Sequence, residues 1–349
     1  MTSPATPPAT PVFDQVHARV LRFFPDLVRE LGGDAAALMR RAGMVLTAAS
    51  DDSQKATYRQ LVMLLELAAS ELACPDFGMQ LALRQDGAGL FGPLGEAMRN
   101  SRNLGEALEY VRDHIYAHSL AARVWLWPMA DGQEVFSGHD ILIDGLPNKA
   151  QAMEQLLLAG HLSALELTGG RARVRRVYFR HQPVAPLRTY RRHFGCEVRF
   201  GQNQDGVVFS RAALDAPIVG PDPHALERVT KLIDSAFAQH RPPLHAEARG
   251  VVMRLIGIGE CSNEQVAAVL GLHVRTLHRR LGLEGTSFQQ VKDEVRRDIM
   301  LYYLHQTTLD FTRIAEKLGF AEQSVMTRCC NRWFGTSPTR VRQNGALAA

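Results

Sequence analysis

At 349 residues, with 46% hydrophobic and 22% charged side chains, the chain is long enough to bury two or three cores and has an ordinary charge content for a globular protein. No stretch approaches the twenty apolar residues of a bilayer span, and residues 1–12 lack the basic-then-apolar order of a secretory leader, which argues against membrane and secreted classes. Five cysteines, an odd number without metal-ligand spacing, fit a reducing cytosol, and the formal charge of +4 is unevenly placed: residues 251–349 carry 13 Lys+Arg against 9 Asp+Glu, residues 1–250 carry 27 of each.

In chain order, the Thr/Pro/Ala-rich residues 1–12 read as a disordered tail. Residues 13–215 read as an α+β domain with a small, mainly antiparallel sheet. Its first part is helical: Val16–Leu31 ending at Gly32-Gly33, Ala35–Arg41 ending at Gly43, Tyr58–Leu72, Phe77–Leu83 and Leu104–Ala117. Alternation over residues 120–143 around Asp131-Gly132 predicts a hairpin. Another amphipathic helix is predicted over Pro147–Leu167. Short strands follow at Arg173–Arg180, Glu197–Phe200 and Gly206–Ser210, around a helix at Leu187–Phe194. Residues 216–245 read as a linker, Pro217–Pro223, and a connecting helix, His224–His240.

Residues 246–345 read as an all-α domain of two helix-turn-helix units joined by a helix, because one pattern occurs there twice. Ser262-Asn-Glu-Gln-Val-Ala-Ala-Val-Leu-Gly-Leu272 returns 48 positions later as Asp310-Phe-Thr-Arg-Ile-Ala-Glu-Lys-Leu-Gly-Phe320, and Gly285-Thr-Ser-Phe288 returns as Gly335-Thr-Ser-Pro338. Ser262 and Gln265 have capping-box spacing, and Gly271 suits the left-handed turn that ends the helix. Over Val274–Leu281, apolar Val274, Leu277 and Leu281 point inward and leave Arg275, His278 and Arg279 outward. In the second copy Asp310 caps, Gly319 turns, and Glu322–Trp333 presents Gln323, Ser324, Thr327 and Arg328. Arg can bond guanine O6 and N7 together, and Gln or Ser can bond base edges, so both faces suit a major groove. Between the units, Ser287–Leu304 has Phe288, Val291, Val295, Ile299 and Tyr302 at steps of three and four. A helix of that length, roughly 27 Å at 1.5 Å per residue, suits two reading helices about one DNA turn apart.

Residues 251–349 resemble the DNA-binding domain of the AraC/XylS family of bacterial transcription regulators, through Arg313-Ile-Ala-Glu-Lys-Leu-Gly-Phe320, Ser324, Arg328, Arg332-Trp-Phe-Gly335, Ser337-Pro338 and Arg342. The resemblance puts Arg275, His278 and Arg279 where the first unit reads bases, and Ser324, Val325 and Arg328 where the second does. The chain departs from the family at Met326 and Cys330, where Phe is usual, and at Val341, near a usual aromatic. The loss of aromatic volume predicts a looser second unit, although Met and Cys remain apolar fillers. Phe24-Pro-Asp-Leu-Val-Arg-Glu-Leu-Gly-Gly33, Leu104-Gly-Glu-Ala-Leu108 and Val177-Tyr-Phe-Arg-His-Gln-Pro183 resemble a subgroup with an arabinose-binding-type regulatory domain. That implies effector sensing and a homodimer acting on double-stranded promoter DNA with RNA polymerase, most often as an activator in the cytoplasm, without a cofactor.

Three other features carry competing readings. Gly87-Ala-Gly-Leu-Phe-Gly92 matches G-x-G-x-x-G but lacks the strand before it and the acidic residue beyond it that a dinucleotide site needs, which leaves a flexible loop. His114 and His118 are four apart on a predicted helix; without a third ligand they read as core or effector-pocket histidines rather than a metal site. Trp125 and Trp127 share a hairpin face and line either a core or an effector pocket. No nucleophile elbow, phosphate loop or zinc-protease motif is present, so the enzyme reading stands behind two others: an effector-controlled regulator, and a DNA-binding protein controlled by protein partners alone.

Overall fold

The computed structural model describes residues 14–44, 55–85, 87–129, 132–141, 143, 146, 148–202, 204–237, 244–256, 261–306 and 309–346. The tail over residues 1–12, Asp131 and residues 238–243 of the connecting segment lie outside them. Where one helix was expected over Val16–Leu31, the chain is divided. Strand β1 (Gln15–His17) pairs antiparallel with β2 (Lys55–Thr57), Val16 opposite Ala56; a 3-10 turn spans Ala18–Leu21, and α1 spans Phe24–Glu30. The break has a local cause: Phe23 has φ 67°, a conformation costly for a bulky side chain, and Pro25 stands in the first turn of α1, where its missing N–H is not needed.

Helices α2 (Ala35–Arg41) and α3 (Tyr58–Glu71) follow the sequence expectation closely. Asp34 caps α2, accepting from the Ala37 N–H at 3.1 Å, and Thr57 with Gln60 forms a capping box on α3. Helix α4 (Phe77–Ala82) precedes a 3-10 helix, Gly87–Phe91, and α5 (Pro93–Arg99). Helix α6 (Leu104–His114) is shorter than expected and passes into a 3-10 turn at Ile115–Ala117.

The glycine-rich segment is a packed element rather than a flexible loop. Ala88 and Leu90 are buried, the Glu166 carboxylate accepts from the Ala88 N–H at 3.4 Å, and its other oxygen accepts from Arg99 Nη1 at 2.5 Å. A Cβ on Gly87 would lie 2.1 Å from Glu166 Oε2, and one on Gly95 would lie 1.7 Å from the Ala88 carbonyl oxygen. Close approach of backbones accounts for these glycines.

Strands β3 (Ala122–Pro128) and β4 (Glu134–Ile141) occupy the expected hairpin, and α7 (Ala150–Leu167) follows. Then come β5 (Arg176–Tyr178), α8 (Leu187–Phe194), β6 (Glu197–Arg199), β7 (Asp205–Ser210), the short α9 (Arg211–Leu214) and α10 (Pro223–Phe237). The five-stranded sheet has the order β3-β4-β7-β5-β6. Val177 of β5 stands opposite Val207 of antiparallel β7 and Val198 of parallel β6. A parallel pair needs a crossover, and α8 supplies it.

Helix α7 is buried on nearly every side, including Gln151, Glu154, Gln155, His161 and Ser163. Part of this polar set fastens neighbouring backbone. Gln151 accepts from the Gly78 N–H at 2.8 Å and donates to the Pro75 carbonyl at 2.7 Å; Gln155 donates to the Val20 carbonyl at 2.9 Å. His161 is only 2% exposed, and burial, with Arg173 adding to it, pushes its pKa down to about 4. The native state therefore holds the neutral ring, whereas the unfolded chain takes up a proton near pH 6.5. Its contribution is fully present above about pH 6.5 and is lost as the pH falls toward 4, by at most about 3 kcal/mol. Denaturant titrations at pH 7 and pH 4.5 are expected to show this loss for the wild type and a smaller one for His161→Gln; equal losses would exclude His161 as the source.

The remaining helices are α11 (Leu244–Ile256), α12 (Asn263–Val269), α13 (Val274–Leu283), α14 (Phe288–Gln306), α15 (Phe311–Lys317), α16 (Gln323–Phe334) and α17 (Pro338–Ala346). The chain forms two compact units. One gathers the described residues of Met1–Ser137, Leu146–Val174 and Phe209–Arg241; the other gathers those of Gly138–Gly145, Arg175–Val208 and Pro242–Ala349.

Candidate nucleic-acid interface

Each half of the doubled motif folds as its residues dictate. Ser262 Oγ accepts from the Gln265 N–H at 3.2 Å while Gln265 Oε1 accepts from the Ser262 N–H at 3.0 Å, which starts α12. Gly271 takes φ 64°, and the Leu272 N–H then bonds the Ala267 carbonyl at 2.9 Å, closing the turn into α13. In the second half the Asp310 carboxylate accepts from the Arg313 N–H at 2.8 Å, Gly319 takes φ 63°, and the Phe320 N–H bonds the Ala315 carbonyl at 2.9 Å.

A single apolar core lies behind both halves. Leu277 and Leu281 of α13 are wholly buried, and so are Met326 and Cys330, which stand 49 positions later in α16. Met326 and Cys330, where Phe is usual, are both fully enclosed, with Phe320, Trp333 and Phe334 in the same cluster. Cys330 Sγ lies 3.6 Å from the Thr336 carbonyl oxygen, and burial, with Cys329 second, pushes its thiol pKa up to about 11.

With these residues inward, the opposite faces are fixed. Arg275, His278 and Arg279 of α13 are exposed, as are Gln323, Ser324 and Arg328 of α16, while Val325 and Thr327 are half-buried. Among the described residues no carboxylate pairs with Arg275, Arg279 or Arg328, so these guanidinium groups are available to an anion or a base edge. Gln323 and Ser324 are locally engaged: Gln323 Oε1 accepts from Thr312 Oγ1 at 2.9 Å, and Ser324 Oγ donates to Glu322 Oε2 at 3.0 Å. Gln323 keeps its Nε2 donors for a base edge, whereas donation to a base by Ser324 would require exchanging its bond to Glu322.

The connecting helix α14 is braced to both halves by side chains that hydrophobic periodicity does not reveal. Val291, Val295 and Ile299 enter the core as expected. Lys292 Nζ donates to the Cys261 carbonyl at 2.5 Å, at the start of the first half. Arg296 donates to the Leu318 and Gly319 carbonyls at 3.0 and 2.7 Å and lies 4.4 Å over the Phe320 ring, at the turn of the second. Arg332 Nη2 returns from α16 to Asp293 Oδ2 at 2.9 Å. Charged donors on carbonyls freed at a helix end make strong, directional bonds, so α14 fixes the placement of both halves. At 19 residues it is about 28 Å long. At the other end, the Glu284 carboxylate accepts from the Leu244 and His245 N–H groups, each at 2.8 Å, which holds the first turn of α11. Desolvation raises its pKa, but these bonds and the His245 side chain outweigh it and leave the carboxyl below its ordinary value.

The residues singled out for an effector lie on α6, at the end of the 3-10 turn that follows it and on β3. His114 stacks on Tyr110 at 4.0 Å, with Nδ1 2.9 Å from the Tyr110 carbonyl oxygen, and Tyr110 in turn meets Thr230 Oγ1 at 3.0 Å. His118 is buried, edge-on to Tyr58 at 6.3 Å and Phe91 at 5.8 Å. Trp125 is buried beside Phe136, whereas Trp127, on the same strand face, is 43% exposed. The strand outruns the core between them. Buried Glu154 and His161, seven residues apart on one side of α7, escaped the sequence reading. The signal that marks them is a helix apolar all round, in which any polar residue must be enclosed.

Two capped helix-turn-helix halves on one core, following an α+β region, define a DNA-binding transcription regulator. The model for the arabinose-binding domain of AraC transcription regulators matches residues 32–218, and a helix-turn-helix domain model matches residues 266–344. The HTH-type transcriptional regulator VirS of Mycobacterium tuberculosis is 34% identical over 334 residues, covering 95% of this chain and 98% of its own. The ornithine utilization regulator of Pseudomonas aeruginosa is 27% identical over 322 residues, 91% and 93% of the two chains. The crystal structure of the transcriptional regulator CdpR from Pseudomonas aeruginosa is 20% identical and covers 88% of this chain and 96% of its own, at a TM-score of 0.41. The chain belongs to the AraC family of transcription regulators, with an arabinose-binding-type N-terminal domain and a helix-turn-helix DNA-binding domain.

Proposed function

We propose that the regulator reads two short DNA blocks about one helical turn apart, one with Arg275, His278 and Arg279 and the other with Gln323, Ser324, Val325, Thr327 and Arg328. The observation that carries this reading is the pair of outward helix faces backed by one core and braced by α14. Residues 246–345 act as the DNA-binding domain, residues 13–215 as the sensing and dimerising domain, and residues 216–245 as the connection. A small molecule bound by the sensing domain favours the DNA-competent arrangement, and a homodimer engages promoter DNA and RNA polymerase as an activator in the bacterial cytoplasm. The relatives' status as transcription regulators favours this over turnover of a small molecule. Among the described residues no helix is long and apolar enough to cross a membrane.

The effector site is assigned to the N-terminal domain, with His114, His118, Trp125 and Trp127 as its candidate residues, carried by α6, the 3-10 turn that follows it and β3, which pack against one another. Selection of bound sequences from a random duplex pool with the full-length protein tests the DNA reading. The expected result is a site with two blocks about one turn apart; recovery of no preferred sequence, with or without a panel of small molecules that includes ornithine, would overturn it.

A further inference from the structure

The balance of 27 Lys+Arg and 27 Asp+Glu over residues 1–250 conceals a local excess. Between Arg171 and Arg199 there are 9 arginines and one carboxylate, Glu197, which is taken by Arg199 at 2.9 and 3.1 Å. Three of the arginines, Arg188, Arg191 and Arg192, lie at i, i+3 and i+4 on α8, so they share a face, and all are exposed. Among the described residues no carboxylate pairs with any of them.

The face is held firmly. Tyr190 and Phe194, on the inward side of α8, are buried against Phe179 and Phe200, with Tyr190 and Phe200 4.9 Å apart. Tyr190 Oη accepts from the Val184 and Ala185 N–H groups at 3.1 and 3.2 Å, and Gly195 with φ 66° ends the helix. Placement in the last turn favours Arg191 and Arg192 through the helix dipole, but it gives no reason for Arg188, and like charges three and four apart disfavour the helix. Such a trio, unneutralised within the protein, suits an external polyanion.

The same compact unit contains the two helix-turn-helix halves, and Arg180 Nη1 of this segment lies 3.3 Å from Met253 Sδ of α11. We infer that Arg188, Arg191 and Arg192 form a third DNA contact, a sequence-independent clamp on phosphates outside the two blocks read by α13 and α16. DNA is favoured over an acidic protein because the chain already binds duplex through this unit, and phosphate contact asks only for exposed, unpaired cations. The inference rests on the reading proposed above for the helix-turn-helix halves.

The test is the salt dependence of operator affinity for the full-length protein and for Arg188→Gln/Arg191→Gln/Arg192→Gln, on duplexes with long flanks and on duplexes trimmed to the two blocks. On long duplexes the slope of log affinity against log salt is expected to fall by up to about 2.7, at about 0.9 per phosphate contact, with affinity at low salt down by roughly tens of fold. Sequence preference is expected to stay, the trimmed duplex to show little difference, and Arg188→Lys/Arg191→Lys/Arg192→Lys to behave as wild type. Thermal unfolding checks that the Gln variant is folded. An unchanged slope in a folded variant would overturn the clamp while leaving the base-reading proposal intact, as would a variant that binds DNA normally but fails in transcription, which would assign the face to a protein partner. Wild-type protein without sequence preference would instead sink the base-reading proposal.

Discussion

Arg279→Ala is expected to weaken operator binding by about 1–3 kcal/mol, roughly 5- to 150-fold, and to relax preference at one base position in one block; Arg328→Ala is expected to do the same in the other. Both residues extend from exposed helix faces whose opposite sides, Leu277 with Leu281 and Met326 with Cys330, are wholly buried, so neither helix can rotate to offer a substitute. A guanidinium bonding two acceptors on one guanine discriminates in a way that a phosphate contact does not. Competition binding with operators altered one base pair at a time separates the cases. Equal loss on every sequence would assign the side chain to phosphate.

Leu277→Ala is expected to cost about 2–5 kcal/mol, the range for emptying a fully enclosed leucine site. Leu277 is inaccessible and shares a core with Val266, Ala267, Leu281 and Val295, so the loss falls on α12, α13 and α14 together. The chain has two compact units, so its unfolding is analysed without assuming a single two-state transition. The expected result is a shift in the transition of the unit containing residues 242–349, with operator affinity falling as that unit opens. A change below about 1 kcal/mol would mean that the site collapses without loss and that the shared core is less tightly coupled than its burial implies.

The DNA-binding half was the more legible part of the sequence because its signals are local. Ser262 with Gln265, Asp310, Gly271 and Gly319 each act within a turn or two of chain, and the caps and left-handed turns stand where the residue types placed them. What did not show was bracing across distance: Lys292 reaching Cys261, Arg296 reaching Leu318 and Gly319, and Glu284 holding α11 all join residues 22 to 40 positions apart. Periodicity treats such residues as an exposed polar face.

In the N-terminal region the short-range patterns again served well, with the helix over Leu187–Phe194 correct to the residue. The error over Val16–Leu31 arose because the apolar spacing is compatible with a helix, whereas pairing with Lys55–Thr57, some forty residues away, makes its first part a strand. The glycine-rich segment matches G-x-G-x-x-G in spacing, but its glycines answer to the backbone of Ala88 and the carboxylate of Glu166. The arginine excess over 171–199 was present in the sequence, but a charge count over 250 residues averaged it away.

Phasing tests the central claim most directly. If α13 and α16 are held by α14 to read two blocks on one side of the duplex, inserting five base pairs between the blocks rotates one by half a turn, out of reach. Affinity is then expected to fall to that of an operator with a single block. Affinity unchanged by the half-turn insertion would contradict the account, since the two reading helices would have to act independently of the helix that joins them.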